Sequence, residues 1–226
     1  ASHGNDVDYL NALLGAGSDP KYSSEFGWTA LMVAAAYGSA PMVDALIEAG
    51  SDANAADKNC GGQTILMWAA RSGREAKKKI VSLLKAGANA NGTSDNGWNA
   101  LMSAAYSGDI EAVEALLQAG CVARYKTKDG TTVLMAGARS GKANVVRLLI
   151  KAGAEVNSAD GQGMTALMKA VEGYDTVGAV EALLKAGADP NQKNQQGKTA
   201  LEMAQGSDHS GASQVVDALK PVTKLK

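Results

Sequence analysis

The phrase Gly-x-Thr-Ala-Leu-Met-x-Ala-Ala recurs along the chain, and this recurrence constrains the fold more than any other feature. The copies begin at Gly27, Gly62, Gly97, Gly130, Gly163 and, more loosely, Gly197. These glycines are 35, 35, 33, 33 and 34 residues apart. A period of about 33 residues with a turn and two short helices in each copy is typical of stacked helical repeats. The sequence therefore predicts an array whose repeats cover one another's apolar faces.

Length, composition and charge place the chain among folded proteins with a sizeable core. It has 226 residues, of which 46% are hydrophobic, and a formal net charge of -1. This balance excludes a disordered chain and a strongly basic nucleic-acid binder, so we expect no nucleic-acid partner. No apolar run approaches the ~18 residues of a membrane span, and we expect no membrane insertion. The repeats continue without a Pro-rich or Ser-rich linker, which predicts one domain over residues 1–226.

Each repeat carries the signals of two helices. The Thr of the phrase can cap a first, Ala-rich helix, because its hydroxyl accepts a hydrogen bond from a free backbone N–H. Glycines suited to the left-handed conformation then end this helix at Gly38, Gly73, Gly108 and Gly141. A second, Leu-rich helix follows in segments 43–47, 81–84, 113–117, 145–150 and 180–184. An Ala-Gly pair closes each of these segments, at Gly50, Gly87, Gly120, Gly153 and Gly187.

This pattern resembles the ankyrin-repeat family, in which Asp-x-x-Gly-x-Thr-Pro-Leu-His-x-Ala-Ala precedes Gly and Val-x-x-Leu-Leu-x-x-Gly-Ala-x-x-Asn. The resemblance covers about residues 5–220 and implies an all-α ankyrin-repeat solenoid of helix-turn-helix units joined by hairpin fingers. The family's Pro is absent, and its His is replaced by Met32, Met67, Met102, Met135, Met168 and Glu202. That His hydrogen-bonds neighbouring loops in the family, so its loss predicts less rigid loops. We expect the Met column to fill gaps in the core.

The resemblance also sets the boundaries of the repeats and raises the question of what precedes them. We predict a partial N-terminal unit at 1–26, repeats at 27–61, 62–96, 97–129, 130–162 and 163–196, and a capping unit at 197–226. Tyr9, Leu10, Leu13 and Leu14 form the pattern of a second helix without a complete first helix. Either the chain is a piece of a longer protein or an upstream segment, such as an export signal, was removed. Removal of a signal would indicate an exported bacterial ankyrin-repeat protein in the periplasm; otherwise we expect the cytoplasm.

Three segments depart from the regular repeat spacing. The finger around Lys58, Asn59, Cys60 and Gly61 is longer than the others, and the fifth repeat has one extra residue between Gly173 and Gly178. The second repeat has a longer segment between its helices, which contains Arg74, Glu75, Lys77, Lys78 and Lys79. We interpret this charged segment as a solvated face, with contact to an acidic partner as the alternative.

The sequence offers little catalytic or metal-binding chemistry. His3 and His209 are the two histidines and lie near opposite ends, so a histidine triad or zinc site is not expected. Cys60 and Cys121 lie about two repeats apart, and we predict two free thiols rather than a disulfide. The dinucleotide-like run Gly161-Gln162-Gly163 falls in a predicted finger instead of a βαβ unit. We therefore expect no catalysis, no cofactor and no metal.

Positions that vary between repeats are the candidates for recognition. By resemblance, the concave surface is formed by the residue after the finger glycine and by the end of the first helix. Trp28, Gln63, Trp98, Thr131, Met164 and Lys198 follow the glycines, whereas Tyr37, Arg71, Tyr106, Arg139 and Glu172 end the first helices. Aromatic and Arg side chains are common anchors of protein interfaces. We predict a binding surface of Phe26, Trp28, Tyr37, Arg71, Trp98, Tyr106, Asp129, Arg139 and Met164.

These observations lead to a hypothesis of a non-enzymatic protein-binding module. Its expected partner is one folded protein, and the narrower hypothesis is an enzyme whose active-site entrance the fingers occlude. The alternative is a fragment of a larger ankyrin scaffold that organises an assembly. Trp28 and Trp98 have a second interpretation as covers for finger backbone, and we assign Trp68 to internal packing. We expect a monomer when the protein is free.

Overall fold

The chain folds into pairs of short helices joined by hairpin fingers. The computed structural model describes residues 3–57, 61–173, 176–207 and 211–223. The predicted long finger at 58–60 and part of the fifth-repeat irregularity lie outside them. The chain divides into two compact units, an N-terminal unit of Ala1–Ala104 with Glu114–Cys121 and a C-terminal unit of Ala105–Val113 with Val122–Lys226. The single domain and the repeat boundaries given above stay predictions.

Within the described residues the regular elements are α-helices. An N-terminal helix, α1 (His3–Gly15), has the place of a second helix and packs against α3, as the second helices of neighbouring repeats do. The first helices of the repeats are α2 (Ala30–Tyr37), α4 (Ile65–Arg71), α6 (Ala100–Ser107), α8 (Val133–Arg139), α10 (Ala166–Val171) and α12 (Ala200–Gln205). The second helices are α3 (Ala40–Glu48), α5 (Ala76–Lys85), α7 (Ile110–Gln118), α9 (Ala143–Lys151), α11 (Val177–Lys185) and α13 (Ala212–Thr223). The predicted all-α class is confirmed for the part of the chain that the structure describes.

The predicted threonine caps form in most repeats. The side chains of the residues before the first helices accept the backbone N–H three residues later at Thr29, Asn99, Thr132, Thr165 and Thr199. Thr64 is the exception, because its hydroxyl is buried without a hydrogen-bond partner. The Met67 N–H donates instead to the Thr64 backbone carbonyl at 3.0 Å. The expected cap is therefore wrong for α4.

The methionine column lies in the core, as predicted. Each of its five members is at most 1% exposed: Met32, Met67, Met102, Met135 and Met168. A flexible thioether fills irregular gaps between stacked helices. At Met135 the sulfur also accepts the Thr132 N–H at 3.4 Å. The column is thus packing rather than a ligand set.

Backbone groups join neighbouring fingers within each unit, without the family's histidine. The Asp95 N–H donates to the Gly61 carbonyl at 2.9 Å in the N-terminal unit. In the C-terminal unit the Gly161 N–H donates to the Asp129 carbonyl at 2.6 Å, and the Gln195 N–H to the Gln162 carbonyl at 2.9 Å. Residues 161–163 lie at a finger tip and not in a βαβ unit, as the repeat register predicts.

The glycines after the first helices do not all act in the same way. Gly73, Gly108 and Gly141 are left-handed, with φ of 64°, 73° and 75°. Gly38 has φ of -81°, so the left-handed prediction is wrong there. A Cβ at Gly38 would lie 2.9 Å from the Cα of Ala34. This glycine is required by close backbone approach instead.

Lys79 in the charged segment of the second repeat is fully buried, which corrects the predicted solvated face. Counted back eight residues from the glycine that closes the second helix, Lys79 occupies the place that Ala112, Val145 and Ala179 hold in other repeats. Those three residues are buried, and so is Lys79. The same count shows that Ile80, rather than the predicted Val81, is the inward residue of α5. The polar end of Lys79 must therefore find a partner inside the protein.

Lys79 and Glu75 bind the two sides of the turn between α2 and α3. The Lys79 Nζ donates to the Ala35 carbonyl at 3.1 Å, within the last turn of α2. The Glu75 Oε2 accepts the Ala40 N–H at 3.1 Å, at the start of α3. This hydrogen bond and the Lys78 ammonium hold the pKa of Glu75 below its usual value, whereas burial lowers the pKa of Lys79. The second repeat thus satisfies backbone groups that the first repeat leaves open.

Cys121 is a free thiol, as predicted, and the structure shows that it is buried; Cys60 lies outside the described residues. The Cys121 Sγ–H donates to the Ala90 carbonyl at 3.2 Å, and burial raises the pKa of the Cys121 thiol to about 11. Because the thiolate is the reactive form, Cys121 should resist Ellman's reagent at pH 8 in the folded protein and react after addition of denaturant. A Cys60→Ser variant isolates this signal. Rapid reaction of the folded variant would contradict the buried position.

Candidate protein-binding surface

The register of the repeats determines which side chains share a face. We number the positions of each repeat from the residue that follows the finger glycine. Position 1 is occupied by Trp28, Gln63 and Trp98. Position 6 is occupied by Val33 and Trp68, and position 9 by Ala36 and Arg71. Tyr37 is tenth, so its predicted equivalence to Arg71, Tyr106 and Arg139 is wrong by one residue. Tyr37 instead follows Val33 by one turn of α2, and residues i and i+4 of a helix lie on the same side.

Two tryptophans from neighbouring repeats form the centre of this face in the N-terminal unit. The ring centroids of Trp28 and Trp68 are 4.8 Å apart, with the ring planes tilted by 48°. Both side chains are half-buried. The Trp68 Nε1–H donates to the buried Asp57 carboxylate at 3.3 Å, which fixes one edge of the ring. Aromatic pairs of this kind add attraction beyond simple burial.

Trp68 is part of the candidate binding surface, whereas the sequence alone predicts that it packs internally. Its place in the repeat is equivalent to that of Val33, whose side chain is exposed. Equivalent residues in stacked repeats point to the same side, so the repeat register places Trp68 on the face that carries Val33. Its role is both to support Trp28 and to form part of the exposed face.

Arg71 lies against this aromatic pair. Its guanidinium carbon is 5.9 Å from the Trp68 ring centroid, within the range of a cation–π contact. Its Nη1 makes a long hydrogen bond of 3.5 Å to the Gln63 Oε1. The side chain is exposed, and it forms no ion pair with any carboxylate of the described residues. One side of the guanidinium is thus supported while its charge stays available.

Two further large aromatic side chains of the same unit are exposed. Phe26 is 60% exposed on the first finger, and Tyr37 is 76% exposed at the end of α2. We call Phe26, Trp28, Tyr37, Trp68 and Arg71 the aromatic surface. All five belong to the N-terminal unit. Exposed apolar clusters of this kind are typical of interaction sites.

Trp98 follows the finger glycine of the third repeat and is also half-buried in the N-terminal unit. Its N–H donates to the Asn96 Oδ1 at 3.2 Å, and its carbonyl accepts the Ser94 N–H at 2.9 Å. The finger backbone thus holds the residue in place while part of its ring stays exposed. Both predicted interpretations, partner contact and finger cover, are compatible with this position.

The predicted binding residues of the C-terminal unit have different environments. Tyr106 is 43% exposed. Arg139 is exposed and lies 3.7 Å from the Glu172 carboxylate, so its charge is shared within the repeats. Met164 is 5% exposed and its sulfur lies 3.5 Å from the Asn194 Nδ2. Its prediction as a contact residue is not met in this structure, because neighbouring repeats cover the side chain.

Asp129 organises its own finger. Its carboxylate accepts hydrogen bonds from the Thr127 hydroxyl and from the Thr131 N–H and hydroxyl, the last two at 3.2 Å. The Thr127 hydrogen bond is the main cause of the lowered pKa of Asp129. The side chain is exposed but already engaged in the turn, which favours a structural role.

No group of three or more His, Cys, Asp or Glu side chains suited to a metal ion occurs among the described residues. No helix in the described ranges is both long and apolar enough to cross a membrane.

The fold and its finger-and-helix surface define a helical repeat protein. A family model of ankyrin repeats in three copies matches residues 1–89 and 75–160, and a second model, of ankyrin repeats in many copies, matches residues 149–204. The chain belongs to the ankyrin repeat family. It is similar to the crystal structure of the human ASB11 ankyrin repeat domain, with a TM-score of 0.80 and 25% identity. That match covers 98% of this chain and 95% of the other. No curated protein matches the chain.

Ankyrin repeats are in general protein–protein interaction modules and non-enzymatic scaffolds. This class agrees with the predicted protein partner.

Proposed function

We propose that this protein binds one folded partner through the aromatic surface and Trp98, and that it acts by occluding the active site of a partner enzyme. The observation that carries the proposal is the Trp28–Trp68 pair, whose ring centroids are 4.8 Å apart, in a unit that also exposes Phe26 and Tyr37. Tryptophan, tyrosine and arginine supply most of the binding energy in many interfaces. A surface already held in place loses little entropy on binding.

Finger contacts support this proposal. The Trp68 ring is fixed by Asp57, and the Trp98 backbone is fixed by Asn96 and Ser94. Anchors with restrained rotamers suit a partner that is itself folded, because neither side has to order a long segment. A cap over an active-site entrance requires such a rigid surface.

Replacement of Trp98 by Ala should weaken partner binding by about 2 kcal/mol or more with little change in thermal melting. The physical reason is that the half-buried ring contributes contact area that becomes fully buried in the complex. Isothermal titration calorimetry with the purified partner measures the first effect, and a circular dichroism melt measures the second. A large loss of folding without selective loss of binding would show that Trp98 is a core residue.

The partner is found by affinity capture from the native cell, with wild type compared to a Trp28→Ala/Trp98→Ala variant. Tyr9→Ala/Tyr22→Ala is the matched control, because both tyrosines are exposed aromatics of the N-terminal unit outside the aromatic surface. One enzyme lost only with the tryptophan variant, and inhibited by purified wild type, supports the proposal. Many partners retained by every variant would favour the scaffold alternative.

A further inference from the structure

We propose that the aromatic surface recognises a partner loop in which a carboxylate side chain lies beside a large apolar side chain. The carboxylate binds Arg71, and the apolar side chain packs on Trp28 and Phe26. This inference rests on the proposed function, since it specifies the chemistry of the same surface. A carboxylate of a folded protein is the occupant to which we commit.

The position of Arg71 suits recognition of a planar anion. Its guanidinium is supported by the Trp68 ring and by the Gln63 amide oxygen, so less freedom is lost when a ligand binds. Stacking on a ring leaves the N–H edge of a guanidinium available, and this edge matches the two oxygens of a carboxylate. No carboxylate of the described residues pairs with it. The missing counterion is therefore expected on the partner.

The charges that follow Arg71 along the chain favour the same kind of partner. Arg74 and Lys77 are exposed and form no ion pair with a described carboxylate. Glu75, the acidic residue of this segment, is already occupied by the Ala40 N–H and by Lys78, 3.1 Å away. The segment therefore presents an excess of positive charge in the same repeat as Trp68 and Arg71. Charge complementarity of this kind selects acidic partners and speeds their association.

The part of the aromatic surface that carries no charge requires an apolar side chain on the partner loop. Phe26 and the exposed part of Trp28 lie on the first finger, whereas Arg71 lies at the end of α4 in the next repeat. A ligand that contacts both must therefore present an apolar and an acidic group side by side. An acidic chain without an apolar residue would leave the Trp28 half of the surface exposed.

The test uses a probe of defined composition, a displayed library of random 12-residue loops on a rigid carrier, selected against the full chain. Binders are kept only where Trp28→Ala abolishes binding, which restricts them to the aromatic surface. Their affinities are then measured for wild type, Arg71→Lys, Arg71→Glu and Arg147→Glu. Arg147 is an exposed arginine of α9 in the C-terminal unit, and its reversal changes the net charge equally. Circular dichroism melts verify that each variant folds.

The expected binders carry Asp or Glu next to Trp, Phe or Leu. Arg71→Glu should weaken them about 100-fold and Arg71→Lys about 10-fold, because an ammonium cannot form the paired hydrogen bonds. Arg147→Glu should have no effect on the affinity of these binders. When the library is screened for binding to the Arg71→Glu variant, the selected loops should carry Lys or Arg in place of the acidic residue. Trp28-dependent binders that ignore Arg71→Glu would overturn this inference while the proposed function stands. No Trp28-dependent binder at all would overturn both.

Discussion

Replacement of Lys79 by Ala should lower the free energy of unfolding of the N-terminal unit by about 3 kcal/mol. The substitution removes a fully buried side chain and leaves the Ala35 carbonyl without its donor. All three tryptophans, Trp28, Trp68 and Trp98, lie in this unit. Tryptophan fluorescence during urea denaturation therefore measures the effect where it occurs.

Lys79→Met is the matched control. Methionine keeps the length and most of the volume of the lysine stem, and it removes the cost of burying a charge. The Ala35 carbonyl still loses its donor, which lowers the stability. This loss opposes the gain from removing the buried charge. We expect Lys79→Met to lie within about 1 kcal/mol of wild type. Equal, negligible effects of Ala and Met would contradict the burial of Lys79.

The difference in stability between wild type and Lys79→Met should depend on pH. Burial lowers the pKa of Lys79 below its ordinary value of 10.5, while Glu75 acts to raise it and Arg74 to lower it further. Between the folded and ordinary pKa values the unfolded chain binds more protons, so wild-type stability gains from rising pH. Lys79→Met lacks this gain. The stability of wild type relative to Lys79→Met should therefore increase as pH rises toward 10.5.

Sequence was sufficient for the fold wherever one residue type recurs at the same place in most repeats. The methionine column and the capping Thr residues are such cases, since each makes the same local contact in successive copies. Thr64 shows the limit of this reasoning. Its side chain has the expected identity, but its hydroxyl is buried without a hydrogen-bond partner and does not cap α4.

The surface was harder to predict, because exposure depends on register within short helices. The sequence alone predicts an equivalent position for Tyr37 that is wrong by one residue, and it predicts internal packing for Trp68. Lys79 was assigned to solvent by its charge, although Ala76, Lys79, Ile80 and Leu83 follow the spacing of a buried helix face. In α5 the spacing of the residues therefore predicts burial better than the residue type does. The register count also places Trp68 at the position equivalent to the exposed Val33.

Gly130→Ala should lower the free energy of unfolding of the C-terminal unit by about 3 kcal/mol. Gly130 has φ of 86°, which an L side chain adopts only with strain. A Cβ at this position would lie 3.0 Å from the Asp160 Cα and 3.3 Å from the Ala159 carbonyl oxygen. Both are backbone atoms of the next finger, so neither can rotate away. Urea denaturation followed by far-ultraviolet circular dichroism measures the loss.

Gly187→Ala separates the two causes. Gly187 lies in the same unit and also has φ of 86°, but a Cβ there would meet no atom within 4 Å. Its substitution should cost only the backbone strain, about 1 kcal/mol. The difference between the two variants then measures how firmly the Gly161 N–H and the Asp129 carbonyl hold adjacent fingers together. Equal losses would mean that the fingers separate easily, which is the less rigid behaviour that the missing histidine predicts.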